Sequence, residues 1–242
     1  MERIEETGFG NLKLIQDSEC FCYGIDAVIL ADFANSFCPD AERIVDLGTG
    51  NGIVPLILSH KNKSAVITGI ELQQKSADMA RRSCEINNLQ TRVSIRTGDI
   101  IEPEVYADLK ADVITCNPPY FARGGGIPNT LKPKYAARHE TTAVFEDFVK
   151  AAAEILNPKG HFFVVHRPSR LVDIFYYCRK YSLEPKNIRF VAPREGETPN
   201  IVLVHCIAGG GRELKIGRTL NVYNPDGTYT DEIRYIYERE QK

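Results

Sequence analysis

Short apolar runs alternate with amphipathic stretches between Arg43 and Cys116, and this alternation limits the fold more than any other feature of the chain. Apolar runs rich in β-branched residues are typical of strands buried on both faces, and amphipathic stretches are typical of surface helices. A helix that joins two such strands makes them parallel. We therefore expect an α/β fold with a mostly parallel sheet and helices on both faces. The pattern predicts strands 44–47, 65–70, 92–96 and 112–116 and helices 52–60 and 73–88.

The same alternation continues to about residue 207. It predicts helices 144–156 and 168–180 and strands 161–165, 187–192 and 200–207, which gives about seven strands in all.

Shorter elements are expected at both ends of the chain. We predict a small hairpin within 12–23, a helix from an Asp26 cap to about Ser36, and a second hairpin whose turn is 224–227. A short helix is expected from Asp231. We interpret the chain as a single domain, with an N-terminal hairpin and helix (1–42), a core (43–207) and a C-terminal extension (208–242).

The overall composition favours a cytoplasmic protein. The seven cysteines form no Cys-x-x-Cys or Cys/His ligand pattern, so neither a disulfide framework nor a metal site is expected. The N-terminus is acidic, and no apolar run approaches the roughly 18 residues of a membrane helix. We expect no membrane association, and no obligate protein partner is evident.

Charge is divided unequally between the two halves of the chain. Residues 1–120 contain 11 Lys/Arg and 18 Asp/Glu (net −7), whereas residues 121–242 contain 19 and 14 (net +5). This division is compatible with ordinary solvated surfaces, and equally with a basic surface that faces a polyanion.

A glycine-rich turn, Asp46-Leu-Gly48-Thr-Gly50-Asn-Gly52, follows the first core strand. Glycines allow a ligand to approach the backbone closely. The dinucleotide fingerprint requires Gly or Ala where this chain has Ile53, which disfavours a dehydrogenase. The carboxylate of Asp46 suits a cationic amino group better than a pyrophosphate.

Acidic residues also follow the next two strands. Glu71 is placed to accept both hydroxyls of a ribose, and Asp99 is placed to contact an adenine amino group. Leu72 and Ile100 follow them and are expected to line the same site. Three acids at the ends of three successive strands, together with the glycine turn, predict a site for S-adenosyl-L-methionine.

The tetrapeptide Asn117-Pro118-Pro119-Tyr120 follows the fourth strand. Two prolines fix the backbone and remove two donors, so the Asn117 side chain and the Pro118 carbonyl are expected to present acceptors. Tyr120 adds an aromatic face. The segment suits a planar group that bears an amino nitrogen, and we predict catalytic roles for Asn117, Pro118 and Tyr120, with Asn117 also touching the cofactor.

Residues 121–139 form a long glycine- and proline-containing stretch with four Lys/Arg and no acid. Its composition suits a basic flap over a phosphate backbone, although a surface loop would have the same composition. The residues that we expect to contact the phosphates of such a backbone are Arg123, Lys132, Lys134 and Arg138 in this stretch, and Arg212 and Lys215 near the C-terminus.

The residues from Asp46 to Gly52, Glu71, Asp99 and Asn117 to Tyr120 resemble, in order and spacing, the motifs of class I S-adenosylmethionine-dependent methyltransferases. Further segments resemble the family that methylates N6 of adenine-37 in valine tRNA: 23–28, 137–140, 209–214 and 229–233. The resemblance implies a Rossmann-like class I fold, adenine methylation in tRNA, and the anticodon loop as partner.

Other acceptors of a methyl group are kept open. Enzymes that methylate guanine-N2 in ribosomal RNA, adenine in DNA or a glutamine amide in protein act on planar amino groups as well. A non-catalytic RNA-binding module with the same fold is the alternative from another class.

Several further residues invite a functional interpretation. We expect Cys116 to be a small buried strand residue rather than a nucleophile, and His139 and His166 to contact RNA or lie on the surface. By analogy, Lys13 and Tyr23 are expected to close over the cofactor.

Overall fold

The computed structural model describes residues 1–17, 23–119 and 143–238. Its centre is a sheet of nine strands. In chain order these are β3 (Arg43–Leu47), β4 (Val66–Glu71), β5 (Val93–Thr97), β6 (Ala111–Cys116), β7 (Leu156–His166), β8 (Leu183–Ala192), β9 (Ile201–Ala208), β10 (Lys215–Ile216) and β11 (Leu220–Asn221). The order across the sheet is β10-β8-β9-β7-β6-β3-β4-β5, and β11 also pairs with β8. Only β9 is antiparallel to its neighbours.

Helices cover both faces of this sheet. Their bounds are α1 (Ile25–Phe37), α2 (Ile53–Lys61), α3 (Gln74–Ile86), α4 (Phe145–Ile155), α5 (Leu171–Lys180) and α6 (Asp231–Ile236). One face packs against α1, α2, α3 and α6, and the other packs against α4 and α5. The expected class of fold is therefore confirmed, with helices on both faces of a mostly parallel sheet. None of the described helices is long and apolar enough to cross a membrane.

The strand count differs from the expected seven because the C-terminal extension adds two strands. β10 and β11 have two residues each and run parallel to β8, with Lys215 beside Asn187 and Leu220 beside Val191. Sequence periodicity cannot reveal strands this short. The expected C-terminal hairpin is reduced to one antiparallel bridge between Tyr223 and Tyr229, and the predicted helix from Asp231 is confirmed.

The N-terminal hairpin of the described residues is not the one predicted, whose second strand lies largely outside them. Strand β2 (Lys13–Asp17) pairs antiparallel with an earlier strand, β1 (Glu2–Glu6), so Glu2 faces Asp17 and Glu6 faces Lys13. Gln16 and Asp17 were expected near the middle of the predicted hairpin, and both are buried within β2. Residues 18–22 lie outside the described part of the chain.

Asp26 is likewise not a cap. Helix α1 begins at Ile25 with Gly24 as its N-cap, and the Asp26 carboxylate accepts a hydrogen bond from the Ala27 N–H within the first turn.

The buried side chains come from every part of the described chain. Phe9, Val28 of α1 and Ile233 of α6 share one apolar cluster with side chains of the central sheet. The division into 1–42, 43–207 and 208–242 within a single domain stays a prediction.

Candidate active site

The carboxyl ends of four neighbouring strands lie side by side and bring the predicted site residues together. Across the sheet, Cys116 of β6 is in register with Leu47 of β3, which is in register with Ile70 of β4 and through it with Arg96 of β5. The next position along each strand is Asn117, Gly48, Glu71 and Thr97. Adjacent strands are about 4.8 Å apart, so this row spans about 14 Å.

The glycine turn after β3 is held against β4. The N–H groups of Gly48 and Thr49 donate to the Ile70 carbonyl oxygen at 2.9 and 3.0 Å. Gly50 has a φ of 58°, and no described atom lies within 4 Å of the position that a β-carbon would take there. A ligand can therefore approach the backbone closely at Gly50.

The glycines on either side have packing roles. A β-carbon on Gly52, whose φ is 85°, would lie 3.0 Å from Cβ of Ala80 in α3, and one on Gly48 would lie 3.2 Å from Cε1 of Phe148 in α4. Gly48 and Gly52 thus let the turn lie between two helices.

Glu71 holds the same turn with both of its carboxylate oxygens. Its Oε2 accepts the N–H of Gly50 at 2.8 Å, and its Oε1 accepts the N–H of Gln73 at 2.8 Å. A carboxylate offers about four lone-pair sites, so it can accept from more than two donors at once. Glu71 therefore fixes the turn and remains suited to a diol.

Asp46 lies beneath the turn and is only 1% exposed. Its Oδ1 accepts the Thr115 hydroxyl at 2.6 Å, a bond between neighbouring strands. Burial raises the pKa of Asp46 to about 7, and the neighbouring Glu71 adds to the rise, while the Thr115 hydrogen bond opposes it. A cation above the turn would favour the charged form of this acid.

The third acid lies one strand further along. Asp99 is half-buried, and its Oδ1 accepts the Ile101 N–H at 3.0 Å. Of the apolar residues expected to line the site, Leu72 is half-buried and Ile100 is buried in the cluster under α4 and α5.

Asn117 and Pro118 continue directly from β6. Asn117 is half-buried, Pro118 is buried and Pro119 is exposed. Tyr120 lies outside the described residues. Cys116 is fully buried, and burial raises the pKa of its thiol well above the usual value, so the prediction that it is a buried strand residue is confirmed.

Two residues that the sequence did not identify connect the N-terminal hairpin to the turn. The Gln16 side-chain oxygen accepts from Nδ2 of Asn51, within the glycine turn, and from the backbone N–H of Tyr23, each at 3.3 Å. Gln16 is 2% exposed. In the sequence, this contact was indicated by Asn51 alone, a polar residue inside the glycine turn.

The expectation for Lys13 was wrong. Lys13 is exposed, and its backbone bonds to Asn87 just beyond the end of α3, whereas the site lies at the beginning of that helix. Tyr23 remains a candidate because its N–H donates to Gln16.

His166 was also misplaced by the sequence interpretation. It is 2% exposed, its Nδ1 accepts the Arg167 N–H at 2.7 Å, and its ring packs edge-on against Phe145. A surface role for His166 is therefore excluded. His139 lies outside the described residues.

The expected phosphate-binding residues fall into two groups. Arg212 and Lys215 are exposed on the C-terminal extension. The remaining four lie outside the described residues: Arg123, Lys132, Lys134 and Arg138.

Comparison with known proteins now gives the family. Residues 12–173 match the model of the methyltransferase small domain. The chain belongs to this family. The match includes all three acids, the glycine turn and Asn117-Pro118-Pro119-Tyr120, so the predicted resemblance to class I methyltransferases is confirmed.

Similar curated proteins share one name. The chain is 30% identical over 238 residues to a tRNA1(Val) (adenine(37)-N6)-methyltransferase of Histophilus somni, covering 98% of this chain and 97% of that protein. It is 28% identical over 185 residues to a protein of the same name from Porphyromonas gingivalis, covering 74% and 72%.

Solved structures show the same fold at lower identity. One described as a predicted O-methyltransferase from Agrobacterium tumefaciens has a TM-score of 0.69 at 24% identity and covers 88% of this chain and 96% of that one. A 16S rRNA N2 G1207 methyltransferase of T. thermophilus, in complex with AdoMet and guanosine, has a TM-score of 0.60 at 16% identity and covers 86% and 50%. These likenesses support the methyltransferase fold.

Proposed function

We propose that this methyltransferase transfers a methyl group from S-adenosyl-L-methionine to N6 of an adenine in tRNA, with adenine-37 of valine tRNA as the target. The observation that carries the proposal is the register of β6, β3 and β4, which places Asn117 and Pro118 beside the glycine turn and Glu71. The names of the similar curated proteins support the choice of tRNA.

The residues at the strand ends fit each part of this cofactor. Glu71 accepts the ribose hydroxyls, and Asp99 contacts the adenine amino group. Asp46 is too deeply buried for broad contact, so it acts on the cationic amino group mainly through its charge beneath the turn. The cofactor, when bound, supplies an electrophilic methyl group.

Asn117 and Pro118 orient the acceptor nitrogen. An exocyclic adenine amine is a poor nucleophile because its lone pair is delocalised into the ring. The Asn117 side-chain oxygen and the Pro118 carbonyl accept the two amino hydrogens, which directs the lone pair towards the methyl group and stabilises the positive charge that develops on nitrogen. No general base is required before transfer.

The anticodon loop is the proposed RNA partner. An unpaired base in a loop costs little to turn out of its stack, and aromatic side chains commonly stack on such bases. Tyr120, which follows Pro119 in the chain, is the residue proposed to stack on the target adenine. Action on tRNA would place the protein in the cytoplasm.

The deciding experiment supplies radiolabelled S-adenosylmethionine and unmodified tRNA transcripts. We expect incorporation into valine tRNA, mapped to N6 of adenine-37, and loss of incorporation when that adenine is replaced by guanine. Label in DNA, ribosomal RNA or protein but not in tRNA would identify one of the alternative planar amino groups as the acceptor. Salt-sensitive RNA binding without any incorporation would indicate a non-catalytic module.

Asn117→Ala tests the proposed catalytic geometry. We expect kcat to fall by about 10²–10³-fold, because an acceptor for developing charge is lost, while the Kd for cofactor changes by less than about threefold. Asn157→Ala is the matched control: Asn157 is also half-buried but bonds to Asp112 near the opposite edge of the sheet. An equal loss of cofactor binding and of kcat in Asn117→Ala would refute the role.

A further inference from the structure

The segment from Gly209 to Thr219 runs along the outer side of β8 and lies on the surface. Every residue from Gly211 to Thr219 is exposed. Three cations recur in it at every third position, Arg212, Lys215 and Arg218, against a single acid, Glu213. Three residues of fully extended chain span about 10 Å, which is the upper limit for the backbone distance between successive cations.

These three cations have no acidic partner within the described part of the chain. Most other surface arginines and lysines nearby are paired: Arg179 with Glu184, Lys180 with Glu146, and Arg189 with Glu232. The charge of the segment is thus not neutralised by the protein.

The segment is nevertheless held firmly in place. Lys186 of β8 donates to the carbonyl oxygens of Gly211 and Arg212, at 3.0 and 3.2 Å, and Arg189 donates to the Arg218 carbonyl at 3.0 Å. The Gly217 N–H donates to the Ile188 carbonyl at 2.8 Å. Both side chains that fix this segment are cations, but Arg189 is paired with Glu232, so it is Lys186 that adds to the local positive potential.

Strand register places the segment relative to the active site. Lys215 is level with Asn187 of β8, and the row continues through His205 and Phe163 to Thr115, two residues before Asn117. Four strand spacings of about 4.8 Å separate Lys215 from Thr115, or about 19 Å across the sheet. The segment lies on the side of β6 away from the glycine turn.

We propose that Arg212, Lys215 and Arg218, here called the docking ridge, bind the phosphate backbone of the RNA whose base is methylated beside Asn117. The inference rests on the proposed function and deepens it: it adds Arg218 to the expected contacts and fixes the side from which RNA approaches. Exposed, unneutralised cations at regular spacing are what a polyanionic backbone requires.

A competing explanation is protection of the sheet edge. Charged side chains on an edge strand prevent pairing with another chain. β10 is an edge strand that exposes Ile216, and Leu214 just before it is also exposed. Either positive or negative side chains can protect a sheet edge, whereas only positive side chains bind phosphate. Reversing the charge therefore separates the two roles.

The test compares two triple variants of the full-length protein. The ridge variant carries Arg212→Glu, Lys215→Glu and Arg218→Glu. The control variant carries Arg43→Glu, Lys63→Glu and Lys110→Glu, three exposed cations at or just before the amino ends of β3, β4 and β6. Both change the net charge by the same amount. Binding of an unmodified valine tRNA transcript is measured from 50 to 300 mM salt, and cofactor binding is measured in parallel as a check of folding.

We expect the ridge variant to bind the transcript at least tenfold more weakly at low salt. The slope of log K against log salt should fall by about 2 to 3, as for three lost phosphate contacts. The control variant should keep most of the slope, and both should bind cofactor like the wild type. The single change Arg218→Glu should lower the slope by about 1.

An unchanged slope in the ridge variant, with methylation by the wild type intact, would overturn the docking ridge and leave the proposed function standing. A wild type that methylates no transcript would refute the proposed function, while the slopes would still report on the ridge. A ridge variant that stays monomeric in sedimentation and binds RNA with the wild-type slope would leave edge protection as the role of these charges and would also overturn the proposal.

Discussion

Burial destabilises the charged form of Asp46. It is almost completely buried, its Oδ1 accepts the Thr115 hydroxyl, and burial raises its pKa to about 7. The folded protein therefore holds a proton on Asp46 more tightly than the unfolded chain does, whose pKa is near 3.8. By linkage, Asp46 contributes stability at low pH that is lost as the pH rises from about 4 to about 7.

The variant Asp46→Asn should remove this dependence. It keeps an acceptor for Thr115 but has no charge to bury. Between pH 5.5 and 8, we expect the free energy of unfolding of the variant to gain roughly 2 kcal/mol on the wild type, since each pKa unit is worth about 1.4 kcal/mol. Urea titrations at several pH values provide the measurement, with Asp40→Asn, at an exposed position, as control. A constant difference across this range would contradict the assignment.

Cofactor binding should show the opposite preference at the same residue. A cationic amino group favours the charged form of Asp46, so protons compete with the cofactor below pH 7. We expect the affinity of the wild type for S-adenosylmethionine to fall towards tenfold per pH unit as the pH drops below about 6.5. Calorimetric titration should find a weaker but flatter profile for Asp46→Asn. Parallel profiles would mean that Asp46 does not sense the ligand's charge.

At the scale of elements, the N-terminal hairpin packs on α3 and touches the glycine turn. Ser83 of α3 accepts the Ile15 N–H at 2.9 Å, and Gln16 accepts from Asn51 and Tyr23. Both contacts anchor β2, but only Gln16 touches the glycine turn. The hairpin therefore belongs to the site although it lies outside the main sheet.

Gln16→Ala and Ser83→Ala separate these two roles. Each variant should lose about 1 kcal/mol of stability, because a buried hydrogen bond is lost. Only Gln16→Ala should also weaken cofactor binding, by about three- to tenfold, because Asn51 of the glycine turn loses its hydrogen bond to Gln16. Equal effects of the two variants on cofactor binding would show that the hairpin acts through α3 alone.

How far the sequence predicts these elements depends on what buries each residue. Strands such as β4 and β6 bury apolar runs on both faces, so their apolar pattern and strand-end chemistry predicted the row from Asp46 to Asn117. Asp17 is buried instead through charge partners distant in the chain, the Met1 ammonium and Lys75, and no local pattern announces such partners. The two-residue strands β10 and β11 depend similarly on β8 and on carbonyl contacts from Lys186 and Arg189.

For the whole molecule, two buried histidines contribute to the response to acid. His205 packs flat against Phe163 and bonds to His161 and Asn187, each at 2.9 Å. Burial lowers the pKa of His205 to about 3 and of His166 to about 4. Both rings are therefore neutral in the folded state, and the stability that they contribute above pH 6.5 is lost as the pH falls further.

We therefore expect stability to decline below pH 6.5. Each histidine removes up to about 1.4 kcal/mol per pH unit, and the opposite contribution of Asp46 offsets one of them. His205→Gln should flatten the decline between pH 6.5 and 4.5, whatever its effect on stability at neutral pH. The control is His60→Gln, at a histidine that bonds to Glu238 on the surface. Thermal unfolding across this range provides the measurement, and an undiminished decline in His205→Gln would contradict the prediction.

Lys215 and Thr115 are joined by paired residues across five hydrogen-bonded strands, so the distance between them is fixed. If the docking ridge binds phosphates, the sheet fixes the distance between the bound RNA backbone and the nitrogen that receives the methyl group. An RNA would be a substrate when the distance from its bound backbone to its exposed adenine equals the distance from the docking ridge to Asn117. Selection among transcripts would then follow the dimensions of the RNA arm before any base in it is compared.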